Sequence, residues 1–227
     1  MDRLSVKICG LSTPETVTAA LNAGADMVGF VYFPKSPRHI DLETMAALAD
    51  QARSRSSIVV LTVNADHALM RSLVTRVRPD WVQMHGHEDA GRIEVVRARF
   101  GTKIMKAVGI GSESDVTLAN SLGRVADRLL VDAKPAEDAT RPGGLGEVFD
   151  WGLLDSLDRT QPFMLSGGLT AANVAQAIER TRAHGVDVSS GVESAPGIKD
   201  ALAIEAFIKA ARGGQKVSPP DPSFAAS

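Results

Sequence analysis

One cysteine, two aspartates, an arginine and two runs of glycine and serine are spaced along this chain so that they could move protons on an anionic substrate. Cys9 ends the run Val6-Lys7-Ile8-Cys9, with Lys7 two residues back on the same face of a strand. A nearby ammonium lowers a thiol from its reference of about 8.5, which makes Cys9 a poised thiolate base or nucleophile. The plainer reading is a small buried apolar residue. Asp132 closes the apolar run Leu129-Leu130-Val131, where burial would raise its carboxyl toward a general acid. Its alternatives are a loop cap or an ion pair with Lys134 or Arg141. Arg38, in Ser36-Pro37-Arg38, offers a planar fork to a carboxylate, or else faces solvent. Ser166-Gly167-Gly168-Leu169-Thr170-Ala171 and Asp187-Val188-Ser189-Ser190-Gly191-Val192-Glu193 bring glycines where backbone N–H groups could cradle a phosphate; the alternative is two flexible turns. His85-x-His87 stands without a third ligand cluster, so no metal is expected.

The elements that must carry these residues alternate. Strands are expected at Val6–Cys9, Met27–Tyr32, Ile58–Val63, Trp81–Met84, Ile104–Val108, Leu129–Asp132, Phe163–Ser166 and Val186–Ser189. Several are apolar on both faces, as in a parallel sheet covered by helices. Helical spacing marks Pro14–Ala23, Leu42–Ala52, Leu69–Val77 and Ala171–Arg182; Thr13 before Pro14 reads as a helix start, and Gly24 as its stop. Eight such units in about 210 residues predict a single-domain (β/α)8 barrel. An open dinucleotide sheet would need a Gly-x-Gly-x-x-Gly turn, and the first turn reads Cys9-Gly10-Leu11-Ser12. The barrel would span residues 1–212, with Gly213–Ser227, rich in proline and small residues, as a disordered tail. In that fold Cys9, Arg38, His85, Asp132, Gly167, Gly168 and Asp187 through Gly191 fall at strand ends or the loops after them, where such barrels place their chemistry.

Composition narrows the partners. With 25 basic and 27 acidic residues, 44% hydrophobic and 23% charged, the chain matches an ordinary soluble globule and not a general nucleic-acid or membrane-surface binder. No apolar run approaches the roughly 20 residues that span a bilayer. The N-terminus lacks the long apolar stretch of a secretory signal, and the lone cysteine suits a reducing, cytoplasmic setting.

Taken together, the segments resemble phosphoribosylanthranilate isomerase, a barrel family of tryptophan biosynthesis. The resemblance rests on Lys7-Ile8-Cys9-Gly10, Gly24-Ala25-Asp26 with Gly29-Phe30, Ser36-Pro37-Arg38 and Val63-Asn64. It continues through Val82-Gln83-Met84-His85-Gly86, Leu130-Val131-Asp132, Gly143-Gly144-Leu145-Gly146 with Phe149-Asp150-Trp151, Ser166-Gly167-Gly168-Leu169, Val188-Ser189-Ser190-Gly191-Val192-Glu193 and Pro196-Gly197-Ile198-Lys199-Asp200. It implies an Amadori rearrangement of a phosphorylated aminoaldose without metal, cofactor or redox step, by a monomer or homodimer. Asp132 would be the general acid at the ribose ring oxygen and Cys9 the general base at C2. Arg38 would hold the anthranilate carboxylate, and Asp187 a ribose hydroxyl. Gln83 and His85 would complete the substrate-binding set. Gly144, Gly167, Gly168, Ser189, Ser190 and Gly191 would hold the phosphate. Leu145 and Glu147 depart from the small hydroxyl and basic or polar residues usual in relatives, with Arg141 a source of replacement charge. The competing readings are a histidine-pathway aminoaldose isomerase, expected to have aspartate in place of Cys9, an indole-forming synthase relying on a lysine acid, and a non-catalytic phosphosugar-binding barrel.

Overall fold

The structure, a computed structural model, describes residues 3–134, 143, 146 and 148–213. Gly144 of the expected phosphate set, and Arg141, Leu145 and Glu147, lie outside these residues, as do residues 214–227 of the expected tail. Eight strands close a parallel barrel in chain order: β1 (Ser5–Cys9), β2 (Met27–Tyr32), β3 (Ser57–Thr62), β4 (Trp81–Met84), β5 (Lys103–Ile110), β6 (Arg128–Ala133), β7 (Phe163–Leu165) and β8 (Gly185–Val188). The last strand pairs with the first, Lys7 lying opposite Asp187. Helices α1 (Pro14–Ala23), α2 (Leu42–Ala52), α3 (His67–Val77), α4 (Ala90–Phe100), α5 (Glu113–Gly123), α6 (Val174–Thr181) and α7 (Ala201–Gly213) surround it. After β6 the described connection is a 3₁₀ turn, Trp151–Ser156.

Local chemistry sets the helix ends. The Thr13 hydroxyl accepts from the Thr16 N–H and Pro14 opens α1; Gly24, at φ +90°, closes it in the left-handed region glycine enters without steric cost. Asp66 accepts from the Leu69 N–H, so α3 starts two residues earlier than its apolar spacing suggests. α6 starts three residues later than expected. Asn173 folds Thr170–Asn173 into a turn, accepting from the Thr170 N–H at 2.8 Å and donating to the Gly168 carbonyl at 3.0 Å.

The barrel has two different ends. Deep inside, Met27, Val59, Met105, Ala107, Leu130 and Met164 form an apolar plug against Trp81, which Arg128 and Lys103 cover from the N-terminal side. At that end a structural repeat appears that spacing did not reveal. Asp26, Asp80 and Asp127 each precede an even-numbered strand and accept, at 2.7 Å, from an N–H on the preceding odd strand, of Val6, Ile58 and Ile104. His184 stands at the fourth position, before β8 and against the Phe163 N–H. Each quarter of the barrel is thus tied by one side chain. Toward the C-terminal end the interior turns polar, with Lys7, Cys9, Gln83, Asp132, Ser166 and Asp187 replacing the apolar plug. Among the described residues no helix is long and apolar enough to cross a membrane.

Candidate active site

Strand alternation places the site. Lys7 and Cys9 project inward from β1, while Ile8 between them joins the core under the helices. Gly29, opposite Cys9 on β2, leaves the room: a Cβ there would stand 2.9 Å from the Cys9 Sγ. Asp132 on β6, Asp187 on β8 and Gln83 on β4 converge on the same mouth. The resulting cleft, about 800 Å³ with its open mouth included, is lined by Cys9, Arg38, Gln83, His85, Asp132, Gly167, Gly168, Asp187, Ser189, Ser190 and Gly191. Every described residue expected at the site therefore meets in one cavity, drawn from six segments of the chain. The apolar Val31, Phe33, Leu61 and Val63 form one wall of it.

The wholly buried Lys7 donates to Asp187 at 2.8 Å and to the Gln83 carbonyl oxygen at 2.9 Å. Burial alone would lower its pKa, but the Asp187 carboxylate, joined by Cys9, carries it above the ordinary lysine value. Lys7 is thus the inward ion-pair lysine that such a barrel can hold, and it is not presented to the cavity as an acid.

Cys9 corrects an expectation. Its thiol is pushed up and not down, because burial outweighs Lys7, and Asp187 both neutralises that lysine and repels a thiolate. Asp132 follows its expectation: it is 4% exposed, and burial, reinforced by the Asp187 charge, raises its carboxyl to about 7 against the pull of the Ala133 N–H, Lys7 and Arg38. Its proposed partner Lys134 instead pairs with Asp115 at 2.7 Å. His85 Nε2 lies 3.5 Å from Asp132 Oδ2. Burial, with Lys106 and Lys7 nearby, drives the His85 imidazole down to about 3, so the ring is neutral. His87 points outward, exposed, and does not share a site with His85.

Arg38 is not solvent-facing. It is 4% exposed and grips Glu193 through Nε at 2.6 Å and Nη2 at 2.8 Å. Lys199 also reaches Glu193 at 2.6 Å, and bonds the Ser189 carbonyl and hydroxyl. Burial would raise the Glu193 carboxyl, but Arg38 and Lys199 hold it below its usual range. The Ser189 hydroxyl in turn donates to the Cys9 carbonyl at 3.0 Å. Arg38, the β8 loop and the end of β1 are therefore one bonded unit. Glu193 and Lys199 went unassigned in the sequence, because a charged pair six residues apart beside a glycine turn looks like a solvated surface until the fold buries it.

The two glycine-rich loops touch. A Cβ on Gly191 would stand 1.9 Å from the Leu169 carbonyl oxygen, so only glycine lets the loops after β7 and β8 close on each other.

Residues 6–210 match the family model of N-(5'phosphoribosyl)anthranilate (PRA) isomerase. The N-(5'-phosphoribosyl)anthranilate isomerase of Rhodopseudomonas palustris (strain BisB18) is 55% identical over 94% of this chain and 98% of its own. That of Nitrobacter hamburgensis is 56% identical over 93% of this chain and 94% of its own. Among solved structures, phosphoribosyl anthranilate isomerase from Thermotoga maritima superposes with a TM-score of 0.84 at 37% identity, over 93% of this chain and all of that one. Another, solved in complex with reduced 1-(o-carboxyphenylamino)-1-deoxyribulose 5-phosphate, gives 0.80 at 33% over the same shares. A closed eight-stranded barrel with these residues at its mouth, and relatives matching it nearly end to end, place the chain in the N-(5'-phosphoribosyl)anthranilate isomerase family, a family of isomerase enzymes.

Proposed function

We propose that Asp132 and Cys9 divide the acid and base work of this isomerase, converting N-(5'-phosphoribosyl)anthranilate to 1-(2-carboxyphenylamino)-1-deoxyribulose 5-phosphate in tryptophan biosynthesis. The observation that carries this reading is a carboxyl held near pH 7 by burial, in one cavity with the lone thiol. Asp132 gives its proton to the ribose ring oxygen; the C1–O bond breaks as the anthranilate nitrogen lone pair forms a C1=N iminium. Cys9 thiolate then takes the C2 proton, and those electrons neutralise the iminium to an enolamine. Protonation at C1 and loss of the enol proton give the ketose. Atoms and electrons balance within one substrate, so no oxidant or reductant enters. Cys9 lies on β1 and Asp132 on β6, separated around the barrel by two strands, which suits an acid and a base at two ends of one sugar.

Arg38 faces the anthranilate carboxylate beside the apolar wall that receives the ring, and Asp187, with Gln83 and His85, lines the sugar's path. Gly167, Gly168, Ser189, Ser190 and Gly191 hold the phosphate. Engagement of Lys7 by Gln83 and Asp187 weighs against the lysine-acid synthase reading. Cys9 as a base fits a reducing, cytoplasmic location, since an oxidised thiol takes no proton.

The productive form needs Asp132 protonated and Cys9 ionised. With Asp132 at about 7 and Cys9 raised from the ordinary cysteine value, that form is a minority. kcat/KM should climb with pH to about 7, stay level while the two fractions change oppositely, and fall only above the Cys9 pKa. Loss of substrate fluorescence in a turnover assay tests the reading directly. Cys9→Ser and Asp132→Asn should each lose several orders of magnitude in turnover while product binding persists; near-normal turnover in either overturns it. Arg38→Ala should chiefly weaken binding. An equal loss with an analogue lacking the carboxylate overturns that assignment.

A further inference from the structure

Gln83 and His85 are buried at the floor of the cleft, at 1% and 9% exposure, and their bonds fix a direction. The Lys7 ammonium can only donate, so the Gln83 atom that meets it at 2.9 Å is the carbonyl oxygen. That choice turns the Gln83 NH₂ toward His85 Nδ1 at 3.2 Å. An NH₂ also can only donate, so Nδ1 must be the bare, accepting nitrogen. A neutral ring with a bare Nδ1 carries its proton on Nε2. Nε2 is buried with no hydrogen-bond partner among the described residues, and it stands 3.5 Å from Asp132 Oδ2. The other Asp132 oxygen, Oδ1, is already bonded by the Ala133 N–H at 2.8 Å. Gly143 lies over the pair: a Cβ there would stand 2.7 Å from Asp132 Oδ2 and 2.8 Å from the imidazole ring.

Another buried ion pair, unused by the chemistry, holds the backbone on both sides of His85. Lys106 Nζ donates to the Met84 and Gly86 carbonyls at 3.1 and 2.7 Å and to Glu88 at 3.0 Å. Glu88 accepts from the N–H groups of Asn64 and Gly86, each at 2.8 Å.

We propose that Lys7, Gln83 and His85 form a one-way chain of donors that ends on Asp132, with His85 locked as its Nε2–H tautomer to stabilise the carboxylate left when the proton passes to the sugar. This rests on the assignment of Asp132 as the acid. Gln83 and His85 are then positioning residues acting through Asp132. The 3.5 Å separation suits this role: too long for a bond to the resting acid, it can shorten as charge grows on Oδ2.

The test is nitrogen-15 NMR of the histidines in the full-length enzyme without substrate, joined to pH profiles of turnover. His85 should show a bare Nδ1 and protonated Nε2, unchanged from about pH 5 to about pH 9. Gln83→Glu, whose carboxylate accepts from both neighbours, should place a proton on Nδ1. His85→Ala should cut turnover ~10–100-fold, the loss of one hydrogen bond to a charged group, and move the limb near pH 7 upward, since an unassisted carboxylate holds its proton more tightly. His85→Gln, whose amide nitrogen reaches the Nε2 place, should recover most of the loss; His85→Asn, whose amide nitrogen falls at the Nδ1 place, should not. A ring protonated on Nδ1 in the free enzyme, or an unmoved limb in His85→Ala, overturns the donor chain. Retained turnover in Asp132→Asn overturns the acid assignment instead, while leaving the tautomer result standing.

Discussion

Aspartates stand at both ends of this barrel, and the two ends treat the carboxyl group in opposite ways. At the N-terminal end Asp26, Asp80 and Asp127 each accept a strand N–H at 2.7 Å, and Asp26 further gathers Arg212 at 2.6 Å. Arg212 also reaches the Leu4 carbonyl, so this corner ties the last helix to the first strand. Charge there is met by fixed donors. At the C-terminal end Asp132 sits among a second carboxylate, Asp187, and one backbone N–H, almost sealed from water. One end spends its carboxylates on stability; the other keeps a carboxyl that is costly to ionise, and a costly ionisation near pH 7 is what a general acid needs.

The widest way to break the contrast is at Asp132. Asp132→Asn should lower turnover by at least ~10²–10⁴-fold, the range for a positioned acid, in the substrate-fluorescence assay. The same change should stabilise the fold. A carboxyl raised from 3.8 to about 7 keeps its proton longer folded than unfolded, so its contribution to stability falls as pH rises through that window. Above pH 7 the full cost is present, up to ~4 kcal/mol at about 1.4 kcal/mol per unit. Chemical denaturation at about pH 8 should find Asp132→Asn more stable than the parent, and this pH-dependent difference should vanish by about pH 3. A variant no more stable at the higher pH would mean that Asp132 is not held by burial.

At the opposite end Asp127→Ala should cost about 1.5–3 kcal/mol, because the Ile104 N–H loses a charged partner. Turnover should be unchanged, since Asp127 precedes β6 at the end opposite Asp132 and no residue of β5 lines the cleft. A fall in kcat without loss of stability would show the two ends to be coupled.

The strand order and the bounds of two helices, α1 and α2, were legible because they rest on local rules. β2, β4, α1 and α2 match their expected spans, and Thr13, Pro14 and Gly24 fix α1 within a single turn. Strand ends also told which residues share the mouth. What stayed hidden involves partners far apart in sequence. Arg38 meets Glu193 across 155 residues, and Lys7 meets Asp187 across 180. The direction of the Cys9 shift was misjudged for that reason: Lys7 is visible two residues away, while the burial and the aspartate that outweigh it are not. The quarter-barrel repeat was missed because its signal is one side chain per pair of strands, and at the fourth position that residue is His184.

The finest discrimination comes from making one substitution at both ends. Asp127→Asn keeps an oxygen that can accept from the Ile104 N–H and removes only the charge. A charge-assisted bond is roughly twice a neutral one, so the loss should be about 1 kcal/mol, read by denaturation at pH 7. Asp132→Asn also keeps an acceptor, for the Ala133 N–H, and also removes only the charge, yet it should be stabilising. Opposite signs for one chemical change would show that the environment at each strand end, and not the residue type, decides what an aspartate does here. Equal signs would remove the distinction between the two ends, and with it the physical reason for placing the acid at Asp132.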